Sequence, residues 1–229
     1  MLRGLVLSCA LPAVASAGTV IGKLELPAPP DRPALQTKGF LDRVENPLAP
    51  VRPMSAAPDL AIVLEGEGAA PSSQGQVTWD LAGESFVHHV LAVPVGTEVV
   101  IKNTAFTPRV ITAAEDAKLL QGGPLNPKGT KSFRTSEAGK VYTITDRDAP
   151  YIKGKLVVVG TMYTATVDEV SPTSAKFQID NVTPGKYTLK VFYKDRWLDV
   201  QQPVEVTAKG KAEPTVKLPA WPAGDKARP

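Results

Sequence analysis

Cysteine is almost missing from this chain of 229 residues: Cys9 is the single one, and histidine occurs only as the adjacent pair His88 and His89. Cys9 sits in a leader-like N-terminus, so the rest of the chain has no disulfide, no thiolate metal ligand and no cysteine nucleophile. No run reaches the ~20 apolar residues that a membrane-spanning helix needs. Helical periodicity is scarce. A nucleophile-elbow motif, a phosphate-binding glycine loop and H-E-x-x-H are all lacking. A Ser-His-Asp set can be assembled on paper from any chain containing those residues, so in the sequence it carries no weight. The net charge of +3 is small and evenly spread, which leaves no electrostatic footprint for a nucleic-acid partner.

What is present suits a folded β-protein. Hydrophobic residues make up 43% and charged residues 21%, a balance of folded rather than disordered chains. The 22 prolines and 18 glycines fit many turns. Residues 1–17, "MLRGLVLSCALPAVASA", combine basic Arg3, a short apolar core and the ending Ala15-Ser16-Ala17. That pattern reads as a secretory signal peptide cut before Gly18; the alternatives are a short buried helix or a lipoprotein leader ending at Cys9. Residues 27–58 hold eight prolines, which exclude helix and central strand, leaving an extended surface run or a disordered linker. The tail 220–229 reads as loose, with Trp221 as its one anchor.

Between these lie many short β-branched and apolar runs broken by Gly, Pro and Asn, among them "TVIGKLEL", "LAIVLEG", "QVTWDL", "HHVLAVPV", "EVVIKN", "KVYTI", "KLVVV" and "KYTLKVFY". Their spacing argues for an all-β chain built of β-sandwiches. "TAAEDAKLLQG" (112–122) is the one plausible short helix, ending at Gly122. "KFQIDNVTPGKYTLKVFY" carries an alternating strand, a Pro184-Gly185 turn and a second alternating strand. Phe177, Ile179, Tyr187, Leu189 and Val191 fall on one buried-face spacing.

Residues 85–160 resemble a cupredoxin of the plastocyanin-like type found among periplasmic proteins related to methylamine utilisation. "SFVHHVLAVPVGTEVVIKN", "GGPLNPKGTKSFRTSEAGKVYTI" and "DRDAPYIKGKLVVV" carry the resemblance. The last occupies the place of the family's C-x-x-H-x-x-M-x-G loop. Aligned on Gly154, the cysteine position falls on Asp146, the histidine position on Ala149 and the methionine position on Ile152; upstream, Asn103 is kept and Arg109 stands where the first histidine belongs. A blue-copper site needs two imidazoles and a thiolate, usually with an axial thioether. The resemblance therefore implies a cupredoxin-like unit whose metal positions are degenerate, with no metal and no cofactor expected. Arg109 and Asp146 are either an ion pair standing where the metal was shared or independent solvated residues.

The last third, "ATVDE…AKFQIDNVTPGKYTLKVFY", resembles the carboxypeptidase-regulatory-like (transthyretin-like) sandwich, and "GTVIGKLELP" resembles that family's opening strand. The resemblance implies a non-catalytic scaffolding, interaction or glycan-associated module. Residues 161–219 are few for an independent core, so strand 19–26 is expected to cross back and complete it. The expected organisation is leader 1–17, strand and Pro-rich segment 18–58, cupredoxin-like unit 59–160, small sandwich 161–219 and tail 220–229.

Three smaller features complete the reading. His88 and His89, as neighbours on a strand, face opposite ways and cannot converge on one ion. "DRD" lacks the six to eight oxygens of a calcium site. Trp79, Trp197 and Tyr193 are either core or stacking platforms for a polysaccharide. The expected function is an exported, non-enzymatic binding or scaffold protein of the periplasm or cell envelope, with Arg147 and Tyr151 as candidate contact residues for an envelope protein. The rivals are a copper-handling or electron-transfer protein and a polysaccharide-binding module. The leader yields one expected outcome: N-terminal sequencing or intact mass of the exported protein should find Gly18 as the first residue, and a chain beginning at lipidated Cys9 would refute the assignment.

Overall fold

The computed structural model describes residues 17–28, 55–66 and 75–221. The leader, most of the Pro-rich segment and the tail beyond Trp221 lie outside the described residues. Within them the chain is all-β apart from a 3-10 turn at Ala57–Asp59.

Four sheets account for the strands. The first places β1 (Gly18–Glu25) between β13 (Ser174–Val182), antiparallel to it, and two short parallel partners, β16 (Lys211–Ala212) and β17 (Thr215–Lys217); β12 (Asp168–Ser171) adds an edge on β13. The second runs β11 (Thr164–Thr166), β2 (Leu60–Gly66), β14 (Gly185–Tyr193) and β15 (Arg196–Val206). These two sheets close over Val20, Leu24, Ile62, Leu64, Phe177, Ile179, Tyr187, Leu189 and Val191, all buried in one core. The third runs β5 (Val90–Pro94), β10 (Lys153–Val159), β9 (Val141–Asp146) and β7 (Ile111–Ala113); the fourth runs β4 (Ser85–Phe86), β3 (Gln76–Ala82), β6 (Glu98–Asn103) and β8 (Thr130–Arg134). Their core gathers Trp79, Leu81, Phe86, Leu91, Val93, Ile101, Ile144, Leu156 and Val158. Trp79 stacks on Phe86 at 4.2 Å between ring centroids, and Gly154 lies so close that a Cβ there would run into the Trp79 ring.

A third core joins the two sandwiches. Ala61 and Val63 of β2, Phe192 of β14, Val90 and Ala92 of β5, and Val157 and Val159 of β10 form one buried cluster. The residues alternating with them, such as Ile62, Leu91 and Leu156, point into the other two cores. This explains why "LAIVL", "VLAV" and "LVVV" are continuously apolar: strands covered on both faces have no side for polar residues.

Two expectations change, and one turn proves not to form a hairpin. β2 pairs along its whole length with β14, Leu60 opposite Tyr193 through Gly66 opposite Tyr187, so it belongs to the small sandwich and not to a unit spanning 59–160. The inserted sandwich begins at β3. No α-helix forms over 112–122: Ile111–Ala113 pairs with β9, Asp116 accepts the Lys118 and Leu119 amides in a local turn, and Leu120 is buried by that turn. β13 and β14 do not pair with each other across Pro184-Gly185; the turn is an arch that carries the chain from one sheet to the facing one. An alternating pattern reports which face is buried and is silent on which strand lies alongside.

Phe192→Ala tests the third core. Loss of a buried aromatic here should cost about 3–5 kcal/mol, read from urea unfolding; a loss under about 1 kcal/mol would mean that the seam contributes little.

Candidate functional site

The loop "DRDAPYI" closes the end of the inserted sandwich, between β9 and β10. Its backbone is tightly tied: the Asp146 amide donates to the Ile152 carbonyl at 3.1 Å and the Ile152 amide to Ala149 at 2.9 Å. Asp146 is 2% exposed. Its Oδ1 accepts the amides of Asp148 at 3.0 Å and Val110 at 3.4 Å, and its Oδ2 faces Arg109 Nη1 at 3.4 Å. Arg109 is 13% exposed; its Nη2 donates to the Gly83 carbonyl at 3.0 Å, while its backbone exchanges hydrogen bonds with Leu125. Upstream, buried Asn103 pins the loop that leads to Arg109, donating from Nδ2 to the Thr107, Leu125 and Asn126 carbonyls and accepting the Ala105 amide.

The structure thus brings Arg109 to Asp146 and puts Ala149 and Ile152, both buried, behind them. This donor set does not fit copper. A guanidinium offers no lone pair, Ala and Ile offer no donor atom, and the single carboxylate is engaged by a cation and two amides. Among the described residues no group of three or more His, Cys, Asp or Glu side chains is arranged to hold a metal ion.

Outside the pair, the loops show another character. Tyr151 is 66% exposed and Phe106 87%. Arg147 and Asp148 are exposed and paired to one another at 3.1 Å. Phe106 was not singled out from the sequence. Its signal was an aromatic within a Thr/Pro-rich loop just before Arg109, which pattern alone does not separate from a core residue.

Of the three candidate platforms, two are corrected. Trp79 is 1% exposed, stacked in the inserted core. Tyr193 is buried beneath Trp221, with centroids 4.7 Å apart, and Trp221 Nε1 donates to the Ala28 carbonyl at 3.2 Å. Trp197 is 42% exposed, edge-on to Phe192. It lines a groove of about 410 Å³ along the seam with Glu65, Lys190, Val141 and Gln201.

The histidines have separate partners. The His88 carbonyl accepts Trp79 Nε1 at 2.7 Å, and its buried Nδ1 has no protein partner. Burial holds the His88 imidazole below its ordinary pKa of 6.5, against the pull of Asp168 and Asp80. His89 instead bridges Asp59 and Ser85, an arrangement that no local sequence signal announces.

No family model and no curated protein matches this chain. Among solved structures, a reduced amicyanin variant is similar over 42% of this chain and 97% of its own, with 22% identity and a TM-score of 0.33. Amicyanin from Paracoccus versutus is similar over 42% and 96%, with 15% identity and a TM-score of 0.33. A purple cupredoxin from Nitrosopumilus maritimus is similar over 32% and 80%, with 26% identity and a TM-score of 0.29.

The pair at the loop ends has a measurable signature. Arg109→Met leaves a buried carboxylate unpaired and should cost about 3–5 kcal/mol. Adding Asp146→Asn removes the orphan charge while keeping an acceptor for the two amides, so chemical denaturation should show at least half of that loss recovered. Simple additivity of the two substitutions would mean that the pair is not coupled.

Proposed function

We propose that the protein is an exported binding component of the periplasm or cell envelope, in which a cupredoxin-like unit without copper chemistry acts through protein contacts. The observation that carries this reading is the two-layered end of the inserted sandwich. The Arg109–Asp146 pair fastens the two loops from within, and exposed Tyr151 and Phe106 stand on those same loops. Aromatics and Arg147 are the residue types that dominate contact energies, and a loop already held by its own backbone bonds loses little freedom on binding. The second sandwich, resembling the carboxypeptidase-regulatory-like module, is assigned a scaffold role. Nothing at the degenerate positions favours the copper-handling or electron-transfer rival. A weaker glycan reading retains one support, the exposed Trp197 in its groove.

The test is crosslinking and recovery of partners from the native envelope with Arg147→Ala, Tyr151→Ala and Phe106→Ala combined. As exposed residues they should change stability by no more than about 0.5 kcal/mol each. Recovery of the specific partner should fall roughly tenfold or more. An unchanged partner set with an intact fold would remove this end from consideration.

A further inference from the structure

Ser85, His89 and Asp59 come from three separate places: β4, the residue before β5, and the 3-10 turn before β2. Ser85 Oγ lies 2.8 Å from His89 Nε2, and His89 Nδ1 lies 2.6 Å from Asp59 Oδ1. The order of the two nitrogens matters. A carboxylate on Nδ1 holds the imidazole proton there, which leaves the Nε2 lone pair facing the serine hydroxyl. Ser85 Oγ also lies 3.2 Å from the Phe86 carbonyl; the imidazole is the nearer acceptor. Ser85 is exposed, His89 is half in solvent and Asp59 is largely covered. Reach decreases inward from nucleophile to base to orienting carboxylate, as acyl transfer requires.

We propose that Ser85, His89 and Asp59 form a nucleophilic relay that transfers acyl groups from oxygen esters. This goes beyond the binding role and does not depend on it. Ser85 Oγ would bond to the ester carbonyl carbon while its proton passes to His89 Nε2. The carbon–oxygen bond to the leaving alcohol then breaks, and His89 returns the proton to that oxygen. Water, deprotonated by the same nitrogen, attacks the acyl-serine, releases a carboxylic acid and restores the Ser85 hydroxyl. Asp59 holds the ring and opposes the positive charge that His89 carries between steps. With Ser85 exposed, an ester pendant on a larger molecule can reach it, which makes such esters the substrate class.

The experiment uses the whole protein and two probes, diisopropyl fluorophosphate and p-nitrophenyl acetate. Wild type should gain one diisopropylphosphoryl adduct by intact mass, with loss of fluoride from the reagent, mapped to Ser85, and should release nitrophenolate faster than Ser85→Ala. Ser85→Ala should take no adduct. His89→Gln, checked for an unchanged melting temperature, should label at least tenfold more slowly, out of the ~10²–10⁴-fold that a positioned base contributes. Absence of an adduct at Ser85, an equal labelling rate in His89→Gln, or nitrophenolate release equal to that of Ser85→Ala would each overturn the proposal and leave the three residues as a structural tie between the sandwiches.

Discussion

Burial on both faces of the same strands is the constraint from which the rest of the architecture follows. β2, β5 and β10 each send one set of side chains into a sandwich core and the alternate set into the seam. Each seam side chain withdrawn from water contributes about 1.5–3 kcal/mol for Val or Phe. Opening the seam would expose seven apolar residues as two facing patches, one on each sandwich, surface that tends to seek a partner. The small size of Ala61 and Ala92 lets the inner sheets approach closely enough for Val157, Val159 and Phe192 to fill the space. Because β2 and β5 both feed this core, the inserted sandwich is fixed against the small one, and its loops project from a stiff body.

Among those loops the chain meets an electrostatic problem. Two loops approach each other closely there, and a buried charge lies between them. Asp146 is too buried to be left alone, and an unpaired carboxylate there would be strongly unfavourable. Arg109 answers it from the other loop, while the Val110 and Asp148 amides satisfy the second oxygen. A buried ion pair is a poor source of net stability, because desolvation offsets the attraction. Its value here is directional: a guanidinium that also donates to Gly83 fixes one loop against two others. Ala149 and Ile152, too short or too apolar to ligate, complete the packing behind it.

How much of this was legible depended on whether the signal was local. The strands showed as β-branched runs between turn residues, and the doubly covered ones showed as unbroken apolar runs. The meeting of Arg109 with Asp146 was readable through the resemblance, since that fixes which loops converge. The allegiance of β2 was not readable, because "LAIVLEG" satisfies either sandwich and only pairing with β14 decides it. Residues 112–122 carry a helical composition that lost to the pairing of Ile111–Ala113 with β9. Trp79, Tyr193, Trp197 and Phe106 are alike on paper; exposure separates them, and exposure is a property of the assembled sheets. The grouping of Ser85, His89 and Asp59 was the least accessible, since Asp59 joins from the other sandwich.

That last grouping shows what the seam does beyond holding the sandwiches together. Both histidines lie beside it, and each faces acids contributed from the other sandwich: His89 is bonded to Asp59, and His88 feels Asp168. The seam core sets the distance between these elements, because Asp59 immediately precedes β2 and His89 immediately precedes β5. His88 sits partly desolvated with its pKa lowered from 6.5, so the folded state binds its proton less readily than the unfolded one. Its contribution to stability is therefore complete above that ordinary value and is lost as pH falls toward the lowered one. Mild acid thus works against the packing around His88, and the apolar seam is what holds that ring in the covered position that makes its charging unfavourable.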